Sequence, residues 1–198
     1  MVILIVSSSK QDGKTTVTAN LAKILADDGK RVVLVDGDLH LSRLQGLLKT
    51  DTTPGLTDWL ATNIRPPMEN WPEERFKVLP SGTASFSGRE QLNETALETV
   101  FASLKEDFDY IIVDSPPLPT VSDGMIFGVF ADLILSVISV SHTSRRTLNI
   151  HNELIESLDR PHGIIINEVD APNHGNSDAY FLGDAVRRGK FTGFFKPK

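Results

Sequence analysis

Gly13-Lys14-Thr15-Thr16 follows five apolar residues, Val2 to Val6, and a short polar stretch, Ser7 to Asp12. Apolar strand, polar loop, Gly-Lys-Thr and then a helix is the layout of a loop that wraps phosphate. Successive backbone N–H groups in such a loop converge on phosphate oxygens, and the helix start adds the positive end of its dipole. Lys14 would bring a point charge to the β- and γ-phosphates of a nucleotide, and the Thr15 hydroxyl would ligate Mg²⁺. The consensus glycine six residues before the lysine is Ser8 here, small enough for close backbone approach. Gln11 and Asp12 must then accept the loop's torsions, and a positive φ at a non-glycine residue costs about 1–2 kcal/mol. The plain alternative is a Ser-rich turn before an ordinary helix.

Two further acidic groups end apolar runs. Arg31-Val-Val-Leu-Val-Asp36 leads into Asp36-Gly-Asp38, and Asp109-Tyr-Ile-Ile-Val-Asp114 leads into Asp114-Ser-Pro-Pro117. Ligands of open α/β sheets bind outside the carboxyl ends of the strands, so these acids should share a crevice with the loop. Asp114 is the expected Mg²⁺ partner, directly or through water. Pro116 and Pro117 stiffen the segment that would sense the γ-phosphate. Turn or helix capping is the structural alternative for each acid.

The elements that position these groups follow from periodicity. Val17, Leu21, Ile24 and Leu25 give the helix after the loop an apolar face, and Gly29 is its left-handed cap. Strands are predicted at 76–80, 133–140 and 163–167. Helices are predicted at 56–61, at 89–106 with Leu92, Ala96, Val100 and Leu104 facing the core, at 122–130, and at 145–158 with Leu148, Asn152, Ile155 and Leu158 aligned. Strands alternating with helices predict an α/β fold, a doubly wound, mostly parallel sheet. Residues 1–170 should form this domain and 171–198 a tail. The tail carries Arg187, Arg188, Lys190, Lys196 and Lys198 among Phe191, Phe194 and Phe195. It reads as solvated or locally packed, with a membrane or acidic partner as the alternative.

Composition narrows the classes. The chain has 198 residues, is 40% hydrophobic and contains no cysteine. Disulfides, thiolate metal sites and cysteine nucleophiles are thereby excluded. A net charge of −6 argues against a broad nucleic-acid footprint. Met1 leads straight into the first strand, so no signal peptide is expected. The apolar stretch Met125 to Val140 is broken by Gly128 and Asp132, too short to span a bilayer.

Read together, Gly13-Lys-Thr-Thr-Val-Thr-Ala-Asn-Leu-Ala22, Val32-Val-Leu-Val-Asp-Gly-Asp38 and Tyr110-Ile-Ile-Val-Asp-Ser-Pro-Pro117 resemble the bacterial tyrosine kinase (BY-kinase) family. These are the cytoplasmic ATPase domains of capsular and exopolysaccharide export, within the superfamily of septum-site and chromosome-partitioning ATPases with a deviant phosphate loop. Gly55-Leu-Thr-Asp-Trp-Leu60, Val78-Leu-Pro-Ser-Gly82 and Gly163-Ile-Ile-Ile-Asn167 match as well, so the resemblance covers roughly residues 2 to 170. It implies a P-loop NTPase fold that binds ATP or ADP with Mg²⁺. Ser9, Lys10, Gln11, Asp12, Gly13, Lys14, Thr15 and Thr16 would form the nucleotide loop, and Asn167 resembles the residue that contacts adenine. Lys14, Asp36, Asp38 and Asp114 would be catalytic, with Thr15, Asp38 and Asp114 around the metal. In the kinases the acids help activate the attacking tyrosine hydroxyl. The resemblance also implies a homo-oligomer, dimer or ring, a membrane-protein activator, no nucleic-acid partner, and a cytoplasmic location, peripheral at the inner face of the membrane.

Four positions depart from the family pattern. The superfamily's signature lysine would fall at Ser9, and Lys10 is one place off; BY-kinases also depart there, which favours them over the partitioning ATPases. His40 stands where an arginine is usual. With Met1 leading into the first strand, the family's usual Arg-bearing N-terminal helix is not expected within this sequence. Instead of a terminal tyrosine cluster there are two tyrosines, Tyr110 and Tyr180. The expected function is ATP-dependent tyrosine phosphorylation. The alternatives are a non-kinase ATPase switch, a biosynthetic ATP-dependent ligase and a nucleotide-binding scaffold.

Overall fold

The computed structural model describes residues 1–39, 44, 54–70, 75–83, 92–120, 123–141 and 143–169. Three expectations from sequence, the tail at 171–198, the departure at His40 and the acceptor role of Tyr180, lie outside them. Among the described residues seven strands form one sheet: β1 (Val2–Ser7), β2 (Val32–Asp36), β3 (Glu69–Asn70), β4 (Lys77–Leu79), β5 (Tyr110–Asp114), β6 (Leu133–Ser139) and β7 (His162–Asn167). Their order is β3-β4-β2-β5-β1-β6-β7. Every pairing is parallel except that of the two-residue edge strand β3 with β4. The sheet is thus mostly parallel, as expected. Strand β3 had no sequence signal, because two polar residues carry no period. The helices are α1 (Lys14–Asp27), α2 (Leu56–Thr62), α3 (Glu94–Asp107), α4 (Asp123–Gly128) and α5 (Arg145–Ser157).

The period of two along a strand divides the core between the faces. Val2, Leu4 and Val6 pack into one cluster with α2, α3, α4 and α5 through Trp59, Leu97, Phe101, Phe127 and Ile155. Ile3 and Ile5 point to the other face, where Ala19, Ala22 and Ala26 of α1 meet them. Strand β1 is buried along its whole length, so each of its apolar side chains contributes about 1.5–3 kcal/mol.

Helix faces differ from expectation at three places. In α1 the small residues Thr18, Ala19, Ala22 and Ala26 lie against the sheet, Val17, Leu21 and Leu25 flank them, and Ile24 is 49% exposed. Small side chains let helix and sheet approach closely, so the alanine stripe, not the bulkiest stripe, marks the contact. In α3 the Asn93 side chain accepts from Ala96 N–H at 3.0 Å, starting the helix later than predicted; Leu97, Val100, Phe101 and Leu104 are buried. In α5 His151 and Ile155 are buried, while Asn152 is exposed. The C-terminus of α1 closes as predicted. Gly29 has φ 81°, and the N–H groups of Gly29 and Lys30 donate to the carbonyls of Ala26 and Leu25, a Schellman arrangement.

The winding is what builds the site. From β1 the chain moves outward to β2 and β4, returns through β5 into the gap between β2 and β1, and leaves on the far side of β1 through β6 and β7. The carboxyl ends of β1, β2 and β5 therefore lie side by side.

Candidate functional site: a phosphate loop beside two strand-end carboxylates

Between β1 and α1 the backbone turns left-handed twice, at Gln11 (φ 73°) and Gly13 (φ 87°). Of the two residues expected to absorb the loop's torsions, Gln11 does so. Alternating hands of backbone curl a loop into a concavity of N–H groups. The first bond of α1 runs from Val17 N–H to the Gly13 carbonyl, 3.0 Å. Helix geometry leaves the preceding amides, Lys14 to Thr16, directed out of the helix end. The first turn of α1 holds no acidic residue, so no side chain there opposes an incoming anion.

The acids converge where the sheet order requires. Asp36 and Asp114 are register partners at the ends of β2 and β5, and Ile5 of β1 pairs with Asp114 on its other side. Both carboxylates are buried. Lys14 Nζ donates to Asp114 Oδ1 at 2.5 Å, and Thr18 Oγ1 lies 3.4 Å from the same oxygen while donating to the Lys14 carbonyl at 2.9 Å. Gly37 N–H donates to the Asp114 carbonyl at 2.8 Å, and Asp38 N–H to Asp36 Oδ1 at 3.2 Å. Asp38 is half-buried, as are Thr15 and Thr16. The segment after Asp114 is pinned: Ser115 Oγ donates to the Ile5 carbonyl at 3.0 Å, Leu118 N–H donates to that of Ser7 at 3.2 Å, and Pro116 and Pro117 are buried.

The back of the loop is held by Asp12 and Asn167, both expected at the nucleotide, together with Ser8 and Thr143, whose hydroxyls had no predicted role. The Asp12 carboxylate, 1% exposed, accepts from Ser8 Oγ at 3.0 Å, Ser9 N–H at 2.8 Å and Thr143 Oγ1 at 3.4 Å. Asn167 Nδ2 donates to the Asp12 carbonyl at 2.9 Å. Lys10 and Gln11 are exposed. Ser8 is noted in the sequence only as a small replacement for glycine; its hydroxyl is in use here. Thr143 carries no local signal, because it reaches the loop from the turn after β6. Below them, His151 Nε2 and Ser136 Oγ share a hydrogen bond of 2.9 Å. Burial pushes the His151 imidazole below its ordinary pKa, with the Asp12 charge opposing the shift.

The donors suit Mg²⁺ in kind. Asp36, Asp38, Asp114 and Thr15 offer hard oxygen ligands, which this ion takes in small number, completing its shell with water and phosphate. Among the described residues no group of three or more His, Cys, Asp or Glu side chains forms a closed metal cage, an arrangement that a nucleotide-borne ion does not need. No helix among these residues is long and apolar enough to cross a membrane.

Comparison with known proteins places this geometry. The AAA domain family matches residues 2–161. The tyrosine-protein kinase CpsD of Streptococcus agalactiae is 30% identical over 189 residues, covering 89% of this chain and 82% of CpsD. The succinoglycan biosynthesis transport protein ExoP of Rhizobium meliloti is 34% identical over 178 residues, 85% of this chain and 22% of ExoP. Against ExoP and two other long curated relatives the chain spans between 22% and 24% of their length. Among solved structures, the chimerical protein CapA2B2 superposes with a TM-score of 0.81 at 25% identity, covering 86% of this chain and 77% of that one.

Proposed function

This chain belongs to the bacterial tyrosine-protein kinase family, within the AAA-domain P-loop ATPases, and we propose that it binds ATP with Mg²⁺ and transfers the γ-phosphoryl group to tyrosine in polysaccharide export. The observation that carries this reading is the buried Lys14–Asp114 pair, 2.5 Å apart where the loop that turns left-handed at Gln11 and Gly13 enters α1. It joins a cation for the phosphates to a carboxylate for the metal.

The loop amides and the α1 N-terminus bind the β- and γ-phosphates, and Lys14 neutralises their charge. Thr15, Asp38 and Asp114 would hold Mg²⁺, which supplies further charge neutralisation on the phosphates when bound. The attacking tyrosine oxygen bonds to the γ-phosphorus, the bond to the bridging oxygen breaks, and ADP leaves. The Asp36–Asp38 pair takes the hydroxyl proton. Positioning and electrostatics thus do most of the work. A homo-oligomer and a membrane-associated partner complete the proposal, with residues 1–170 as the catalytic unit and location at the inner face of the membrane.

A second reading, a non-kinase ATPase switch, is favoured by the tyrosines. Tyr110 is built into the start of β5, which leaves Tyr180 as the acceptor within the chain. The deciding experiment incubates the protein with ATP and Mg²⁺, with Lys14→Ala as control, and follows phosphate release and phosphotyrosine by mass spectrometry. Phosphotyrosine on Tyr180 in the wild type alone supports the kinase. Phosphate release without phosphotyrosine supports the switch. Equal signals from Lys14→Ala sink both.

A further inference from the structure

We propose that Asn167, Asp12 and Thr143 are positioning residues that set the shape of the phosphate loop from behind, so that phosphate affinity depends on the ends of β6 and β7. The inference rests on the nucleotide-binding reading and names a different task for Asn167 from the adenine contact carried by the family resemblance.

Three observations carry it. First, Asn167 Nδ2 donates to the Asp12 carbonyl at 2.9 Å, inside the stretch bounded by the left-handed residues Gln11 and Gly13. The side chain also fills the space over Gly13: a Cβ built there would overlap the Asn167 amide. Glycine at 13 is therefore needed for its torsion and for this close approach. Second, the Asp12 carboxylate is buried and is bonded to Ser8 Oγ, Ser9 N–H and Thr143 Oγ1. A carboxylate beside a polyphosphate would repel it; buried and bonded, it clamps the start of the loop to its end. Third, Ser8 Oγ and Thr143 Oγ1 are 3.1 Å apart, so Thr143 closes a three-membered polar cluster. Parallel register sets the strand ends from which residues 12, 143 and 167 meet: Ser7 pairs with Val137, and Ser139 pairs with Asn167. None of the three needs to touch a phosphate to govern where the loop amides point.

The test separates loop geometry from base recognition by using a ligand without a base. Binding of Mg-ATP and of inorganic tripolyphosphate with Mg²⁺ is measured by calorimetry for the wild type, Asn167→Ala, Asn167→Asp, Thr143→Val and Thr143→Ser. Asn167→Asp keeps the size and loses the donor; Thr143→Val keeps the shape and loses the hydroxyl; Thr143→Ser keeps the hydroxyl. Positioning predicts that Asn167→Ala, Asn167→Asp and Thr143→Val weaken both ligands by the same factor, about tenfold for the loss of one buried hydrogen bond. Thr143→Ser stays near wild type. Loss of ATP affinity with unchanged tripolyphosphate affinity in the Asn167 variants would overturn the proposal in favour of a base contact. Unchanged binding of both ligands in all variants would overturn it outright. If the wild type binds neither ligand, the nucleotide reading itself fails and takes this inference with it.

Discussion

The Lys14 ammonium and the Asp114 carboxylate, 100 residues apart in the chain, meet at 2.5 Å in the protein interior. Each is the other's buried counter-charge. A nucleotide must therefore draw Lys14 from Asp114 toward its phosphates, or share it, while Asp114 turns to the metal. Removing either partner would leave the other charge buried and unpaired in the protein without ligand.

Asp114→Asn tests that exchange. Removing one member of a buried ion pair costs about 3–5 kcal/mol, with the neutral isostere at the lower end. The melting temperature without ligand should fall. ADP in EDTA should then raise it by more in the variant than in the wild type, because phosphate restores a partner to Lys14. Equal ligand-induced shifts would mean that Lys14 does not reach the phosphates.

Gly13 and Gln11 share a positive φ and should differ in what they tolerate. Gly13→Ala combines a positive φ, worth about 1–2 kcal/mol, with displacement of the Asn167 amide. It should lower stability by at least about 2 kcal/mol in urea and abolish nucleotide binding. Gln11→Gly removes a strained torsion and should not destabilise. Wild-type stability in Gly13→Ala would show that the loop does not need this conformation.

At the opposite end of the sheet, Asp109 accepts from Arg31 through its backbone N–H at 2.8 Å and through Nη2 at 2.8 Å. The side-chain bond to Arg31, chiefly, lowers the Asp109 pKa from 3.8 to about 2. The unfolded chain takes up this proton first as the solution is acidified. The pair's contribution is therefore complete above pH 3.8 and is lost as pH falls through about 2. The gap in melting temperature between wild type and Arg31→Ala should narrow from pH 5 to about pH 2. A gap that stays constant would show that Asp109 is not the group responsible.

His151 gives a second acid dependence, with its midpoint nearer neutrality. Its folded pKa lies below 6.5 because the ring is buried, and among the described residues its Nδ1 is a buried atom without a hydrogen-bond partner. The unfolded state binds this proton more readily, so stability should decline as pH falls below 6.5. His151→Gln, which can still meet Ser136, should lose less melting temperature than wild type between about pH 7.5 and about pH 5.5. Identical slopes would assign the decline to other groups.

By itself the sequence determined the kind of fold and which residues could do chemistry together. Apolar runs ending in Asp36 and Asp114, and the run opening into Gly13-Lys-Thr, are local patterns, and parallel strands place such ends on one edge of a sheet. That is why Lys14 and Asp114 could be assigned to one crevice before their distance was known. What the tertiary structure decided are relations with no local trace. The alanine stripe of α1 became its contact face because close approach favours small side chains. His151 is core and Asn152 is surface because the sheet lies on one side of α5. Asn167 and Thr143 serve the loop because β6 and β7 bring their carboxyl ends beside β1. Each depends on strand order and register, quantities that pair residues more than 100 positions apart and that no window along the chain contains.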